Sequence, residues 1–240
     1  MPTTTLVPST VPLADLSGQR AVVVGAGTGV GPAVVKALLD AGAGVAVDAP
    51  GLEGSTLVGG SGATYLDNCA ERLGGLEILV VAAPPVKNKP VLDMTAEELR
   101  SVLESELAVP ALQMQQAARL MTAAGYGRII AFASMSAKTG VHHNVAPYAA
   151  AKGGLLAFAR VLAAETAEHG VTVNGIATAL FDVQAATMTE EKRSSLRKAI
   201  PVGRFGRSEE AAHAVLFLAG RNGGFVTGEC LNLSGGRFMD

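Results

Sequence analysis

The chain has 240 residues, 49% hydrophobic and 17% charged, with a formal net charge of −2 and a pI near 6.1, a composition that supplies a large core and excludes extensive disorder. The balanced charge, with no basic block, excludes nucleic acid as the natural partner. Two cysteines, Cys69 and Cys230, and four histidines show no metal-ligand spacing, and no apolar run reaches the roughly 18 residues of a membrane span.

The first nineteen residues carry no Lys or Arg and no apolar h-region, so they do not read as a secretory signal. Residues 1 to 15 read as a flexible tail and 16 to 240 as one domain. With free thiols expected, the location implied is the cytoplasm. Residues 20 to 24, "RAVVV", form a predicted buried strand, and "GPAVVKALLDAG" a helix that stops at Gly42. "GVAVD" is a second strand. Residues 49 to 62 are glycine-rich, with a strand stub at "TLV". A helix over "ATYLDNCAERLGG" and a strand over "LEILVVAA" follow. Residues 95 to 124 make a long helix, with Thr95 as N-cap and Glu98 completing a capping box. Then come a strand at "GRIIAFAS", a helix over 147 to 169 closed by Gly170, and a strand at "VTVNGIA". Helices over 187 to 199 and 208 to 220 and a last strand, "ECLNLSG", end the chain. Buried strands alternating with helices predict an α/β fold: one doubly wound, Rossmann-type domain with about seven parallel strands and helices on both faces.

In "VVVGAGTGVGPAVV", Gly25, Gly29 and Gly31, with Gly27 between them, link the first strand to the first helix. Missing side chains there let the backbone turn sharply and approach a pyrophosphate at the helix N-terminus. The competing reading is a merely tight turn. Asp48 ends the second strand, where a carboxylate can hold the ribose hydroxyls of NAD and repel a 2′-phosphate. No Lys or Arg lies in the loop or just after Asp48, which favours NAD over NADP. The bland alternative for Asp48 is an ordinary turn aspartate.

In "PYAAAK", Tyr148 and Lys152 stand four apart on a predicted helix and project from one face. An ammonium beside a phenol lowers its pKa from about 10 and makes it a usable acid or base. With GxxxGxG at 25 to 31, "GRIIAFAS", YxxxK at 148 to 152, "IPVGRFGRSEEAAHAVLFLA" and "VTGECLNLSGG", the chain resembles the short-chain dehydrogenase/reductase family, and within it the 3-oxoacyl-carrier-protein reductase-like members. The resemblance runs from about residue 16 to the C-terminus. It implies Tyr148 as catalytic acid/base, Lys152 lowering its pKa and binding the nicotinamide ribose, and Ser134 holding the substrate oxygen. It implies cofactor contacts from Gly25, Thr28, Gly29, Val30, Gly31, Asp48, Ala82, Ala83, Thr178, Tyr148 and Lys152, and no metal.

The chain also departs from the family pattern. "VAAP", Val81 to Pro84, replaces NNAG, and Val24 replaces the threonine that bonds its asparagine; exchanging both ends of a buried hydrogen bond for apolar groups can be nearly neutral. Glu106 stands at the catalytic asparagine. By that resemblance its main-chain carbonyl holds a water of the proton relay, which its own charge can also enter; the bland alternative is a carboxylate solvated or paired with Lys152. Thr178-Ala179 replaces PG, and residues 49 to 62 are short and lack the adenine-contacting aspartate. His142, His143 and Asn144 lie in the loop the family uses for substrate, or are exposed loop polars. The run 189 to 198 falls at the family's mobile lid, or is a solvated helix face. The reading is an NAD-dependent oxidoreductase interconverting a ketone and a secondary alcohol. The alternative is a non-catalytic or cofactor-free homologue acting as partner subunit or binding module. A homotetramer or homodimer built on the helices at 95 to 124 and 147 to 169 is expected, a hetero-oligomer being the alternative.

Overall fold

The computed structural model describes residues 14–60, 64–82, 88–140 and 142–239. Seven strands form one parallel sheet: β1 (Arg20–Val24), β2 (Gly44–Val47), β3 (Thr56–Leu57), β4 (Ile78–Val81), β5 (Gly127–Ser134), β6 (Val171–Thr178) and β7 (Cys230–Leu233), in the order β3-β2-β1-β4-β5-β6-β7. The order reverses direction between β1 and β4, and ligands of such sheets bind at that switch, beyond the carboxyl ends of the strands. Continuous apolar runs are what a sheet covered on both faces demands. Val23, Ile130 and Ile176 enter the core beneath α1 (Gly31–Asp40) and α8 (Ser208–Ala219), while Val22, Ile129 and Val173 enter the opposite one with α2 (Tyr65–Leu73) and α5 (Ala146–Thr166).

Most elements lie where the sequence places them, the short strand at "TLV" among them, and the break in the long helix has a physical cause. The stretch after β2 yields only the two-residue β3, paired to Ala46 and Val47, because glycines leave it few side chains to pack. The helix at 95 to 124 keeps its capping box, with the Glu98 N–H donating to Thr95 Oγ1 at 3.2 Å. It is nonetheless split into α3 (Ala96–Leu103) and α4 (Val109–Ala124) by a π-helical turn, Glu104–Ala108. Pro110 explains the split. Its ring clashes with the carbonyl four residues back and it has no N–H to donate, so the helix widens just before it. The charged helix expected at 187 to 199 is α7 (Glu190–Lys198), preceded by a one-turn α6 (Asp182–Ala185). Of the tail expected at 1 to 15, residues 1 to 13 lie outside the described residues, and Ala14 already packs against the core.

Candidate active site

The glycine loop leaves β1 and enters α1 as expected. Gly25 and Gly29 have φ of +74° and +55°, values that side chains disfavour. A Cβ on Gly31 would stand 2.5 Å from the Ala26 carbonyl oxygen and 2.7 Å from that of Gly25, so only glycine lets the helix close on the strand. Asp48, at the end of β2, accepts hydrogen bonds from the Gly25 N–H (2.7 Å) and the Ala26 N–H (3.0 Å). Its carboxylate is therefore fastened to the loop's mouth while remaining exposed to solvent. Thr28 Oγ1 donates to the Gly25 carbonyl, and Val30 is the N-cap of α1. These residues fit a pyrophosphate: positive φ, a cradle that a Cβ would fill and a helix N-terminus converge on it.

Ala82 sits under the loop, its N–H bonded to the Val24 carbonyl and its own carbonyl 3.2 Å from a Cβ placed on Gly25. Val24 and Val81 are register partners on β1 and β4, so the two apolar replacements face one another across adjacent strands. Ala83 lies outside the described residues.

The second group gathers at the end of β5. Ser134 is its last residue, and its Oγ accepts the Ser136 N–H at 3.1 Å, which fixes the rotamer. Tyr148 lies in the first turn of α5, buried, with a hydrogen bond to Ser134. Lys152 follows one turn on, its side chain 1% exposed and its Nζ 5.7 Å from the Tyr148 ring centre. Glu106 comes from the π turn, is the buried residue of that turn, and brings Oε2 to 3.0 Å from Lys152 Nζ. Among the described residues no donor is aligned with that oxygen as a hydrogen bond, so the contact is an ion pair in distance rather than in direction. Gly154 of α5 lies close to the same turn, a Cβ there standing 3.1 Å from the Leu107 side chain. Thr178 ends β6 beside Ser134 and donates to the Ala133 carbonyl at 3.4 Å.

The electrostatics correct one expectation. Lys152 was to depress the Tyr148 pKa, but the phenol is pushed above its ordinary value. Burial is the first cause and the Glu106 charge the second, with the Ser134 hydrogen bond pulling the other way. Lys152 is pushed below its usual value, first by burial, against which the Glu106 carboxylate holds it up. The negative partner thus offsets the positive field that Lys152 would otherwise project onto the phenol. The Glu106 carboxylate is paired with Lys152 rather than solvated.

His142 bonds Thr139 through Nδ1 at 3.2 Å, Asn144 takes a left-handed φ of +63°, and the Asn144 carbonyl accepts from Lys89. These contacts stay within the loops and do not bring His142 to Tyr148. Sequence reasoning passed over Pro110. Standing four residues after Glu106, it deprives the Glu106 carbonyl of its helical donor, a signal that was readable from spacing alone.

Comparison with known proteins agrees with this geometry. A family model described as Enoyl-(Acyl carrier protein) reductase matches residues 60–237. The chain is 30% identical to 3-oxoacyl-[acyl-carrier-protein] reductase FabG of Escherichia coli (strain K12), over 94% of this chain and 99% of that protein. It is 31% identical to the same-named protein of Vibrio cholerae, with the same coverage. The crystal structure of a short-chain type dehydrogenase/reductase from Mycobacterium marinum superposes with a TM-score of 0.84 at 30% identity, covering 94% of this chain and 98% of that one.

Proposed function

The chain belongs to the short-chain dehydrogenase/reductase family and is an NAD(P)-dependent enzyme of that class, and from that premise we propose that it interconverts a ketone and a secondary alcohol with Tyr148 as the acid/base. The observation that supports this most is the convergence of Ser134, Tyr148 and Lys152 at the carboxyl end of β5, beside the glycine cradle of the sheet's switch point. The nicotinamide, when bound, supplies or accepts the hydride. The chain supplies the proton chemistry. Ser134 Oγ orients the substrate oxygen, a donor aimed where charge develops. The Tyr148 O–H gives its proton to that oxygen in reduction, and its phenolate takes the proton back in oxidation. Lys152 stabilises the phenolate and holds the ribose. A 3-oxoacyl thioester is the first substrate to try, with simple ketones and secondary alcohols beside it, because the curated relatives are named for that class. The test pairs cofactor-dependent thermal shift with turnover of that panel, since a ligand bound only by the native state must stabilise it. Neither shift nor turnover would hand the chain to the cofactor-free partner-subunit reading.

The cofactor is NAD on this reading. Asp48 holds a carboxylate at the cradle's mouth, and no Lys or Arg follows it through residue 60. Titration by fluorescence is expected to give tighter binding of NADH than of NADPH, and the reverse order would sink the assignment.

The assembly is a homodimer or homotetramer through α4 and α5. Leu112 and Val161, 60% and 59% exposed, leave apolar surface on those helices, and Val109, Leu112 and Leu120 line a cleft of about 300 Å³ on α4. Light scattering is expected to show at least a dimer, and a stable monomer at micromolar concentration would reject it. Among the described residues no helix is long and apolar enough to cross a membrane. The cytoplasm is the proposed location.

A further inference from the structure

The π turn buries one residue, Glu106, and brings its carboxylate to the lysine of the proposed acid/base pair. A buried charge 3.0 Å from Lys152 Nζ, with Nζ in turn 5.7 Å from the Tyr148 ring, is coupled to both. Other groups near the site have other engagements: Lys138 is bonded to Asn232, and His142 to Thr139. Ser134 faces the phenol and carries no charge.

Resting on the function proposed above, we propose that Glu106 is a positioning residue that keeps the Tyr148–Lys152 pair fully protonated at neutral pH and so sets this enzyme for carbonyl reduction. The pair holds two titrating protons as phenol and ammonium. Reduction uses that form. The carbonyl carbon receives hydride, the carbonyl oxygen receives the phenol proton, and the pair is left one proton short until water restores it. Oxidation uses the form already one proton short, which takes the alcohol proton as hydride leaves the carbon. The missing proton can come from either member, giving phenolate with ammonium or phenol with amine. Both products place one positive charge less beside a fixed anion, so Glu106 opposes the loss in either case. The equilibrium between ketone and alcohol is untouched. What changes is the pH at which each direction runs.

The test is a pair of pH–rate profiles, reduction and oxidation of one ketone/alcohol couple, for the wild type, Glu106→Gln and Glu106→Asp. In the wild type, reduction should hold steady through neutral pH and fall only in alkali, while oxidation climbs with pH. In Glu106→Gln both breaks should move down by about one pH unit, raising oxidation at neutral pH by up to about tenfold. Glu106→Asp, which keeps the charge, should stay near the wild type. A readout independent of turnover is tyrosinate absorbance, taken as the difference between each protein and its Tyr148→Phe form; with three tyrosines in the chain the subtraction is direct. The Tyr148 phenol should ionise at lower pH in Glu106→Gln. Glu106→Asn carries the same comparison if the glutamine variant does not fold. Profiles and titration that stay in place, or move upward, overturn the inference. Full activity in Tyr148→Phe would overturn the proposed function instead, so the two failures are distinguishable.

Discussion

Tyr148→Phe is expected to lose at least about 10²–10⁴-fold in turnover, the range typical of a lost general acid/base, while the fold barely registers the change. The phenol is buried, so phenylalanine fills nearly the same space. What disappears is the hydroxyl and its hydrogen bond with Ser134. Ser134 Oγ retains the Ser136 N–H as donor, and because Ser134 is only partly buried, water can accept the O–H that loses the phenol. A lost hydrogen bond of this kind costs roughly 1 kcal/mol, which lowers the melting temperature by about 2–4 °C for a domain of this size. NADH binding should survive, because the cradle lies on β1 and α1. Measuring turnover, melting temperature and NADH affinity on one preparation separates chemistry from folding. Turnover within a few fold of the wild type would remove Tyr148 from the mechanism. Loss of turnover together with loss of fold would assign the tyrosine a packing role.

The reach of sequence reasoning follows the range of the interactions it reads. Strands β1, β5 and β6 were legible because both faces of the sheet are covered, so "RAVVV", "GRIIAFAS" and "VTVNGIA" are mostly apolar, with Arg128, Thr172 and Asn174 as buried polar exceptions. The glycine loop was legible because a missing side chain is a local statement about φ and close approach, and Gly25, Gly29 and Gly31 each meet it. The one-turn spacing of Tyr148 and Lys152 was local as well. The environment of that pair was not. The upward push on the phenol comes from burial under the whole fold and from Glu106, a residue on the separate π turn before α4. Pairwise spacing along one helix contains neither effect. The Asp48 carboxylate shows the same limit, since its two bonds to loop amides depend on how β2 lies beside β1.

Removing one member of the Glu106–Lys152 pair should destabilise the protein by about 3–5 kcal/mol, and removing both should cost much less. Both side chains are nearly inaccessible, 9% and 1% exposed, so each is the other's main compensation for lost hydration. Glu106→Met leaves the Lys152 ammonium alone. Burial already pushes that group below its usual pKa, and the carboxylate is what pulls it back. Without Glu106 its folded value falls further below the unfolded one, near 10.4. The folded state then sheds a proton that the unfolded chain keeps, and stability rises with pH wherever the unfolded state binds more protons. The deficit of Glu106→Met should therefore be largest below the folded pKa of Lys152 and fade as pH climbs toward the unfolded value. Glu106→Met with Lys152→Met places two flexible apolar chains of similar length in the same space. It should recover most of the loss and show no such pH dependence, although it is catalytically dead. Urea unfolding of the wild type, the two single variants and the double variant at several pH values closes the cycle. Coupling near zero, with the double variant as unstable as the sum of the singles, would mean that the 3.0 Å contact contributes nothing to the fold.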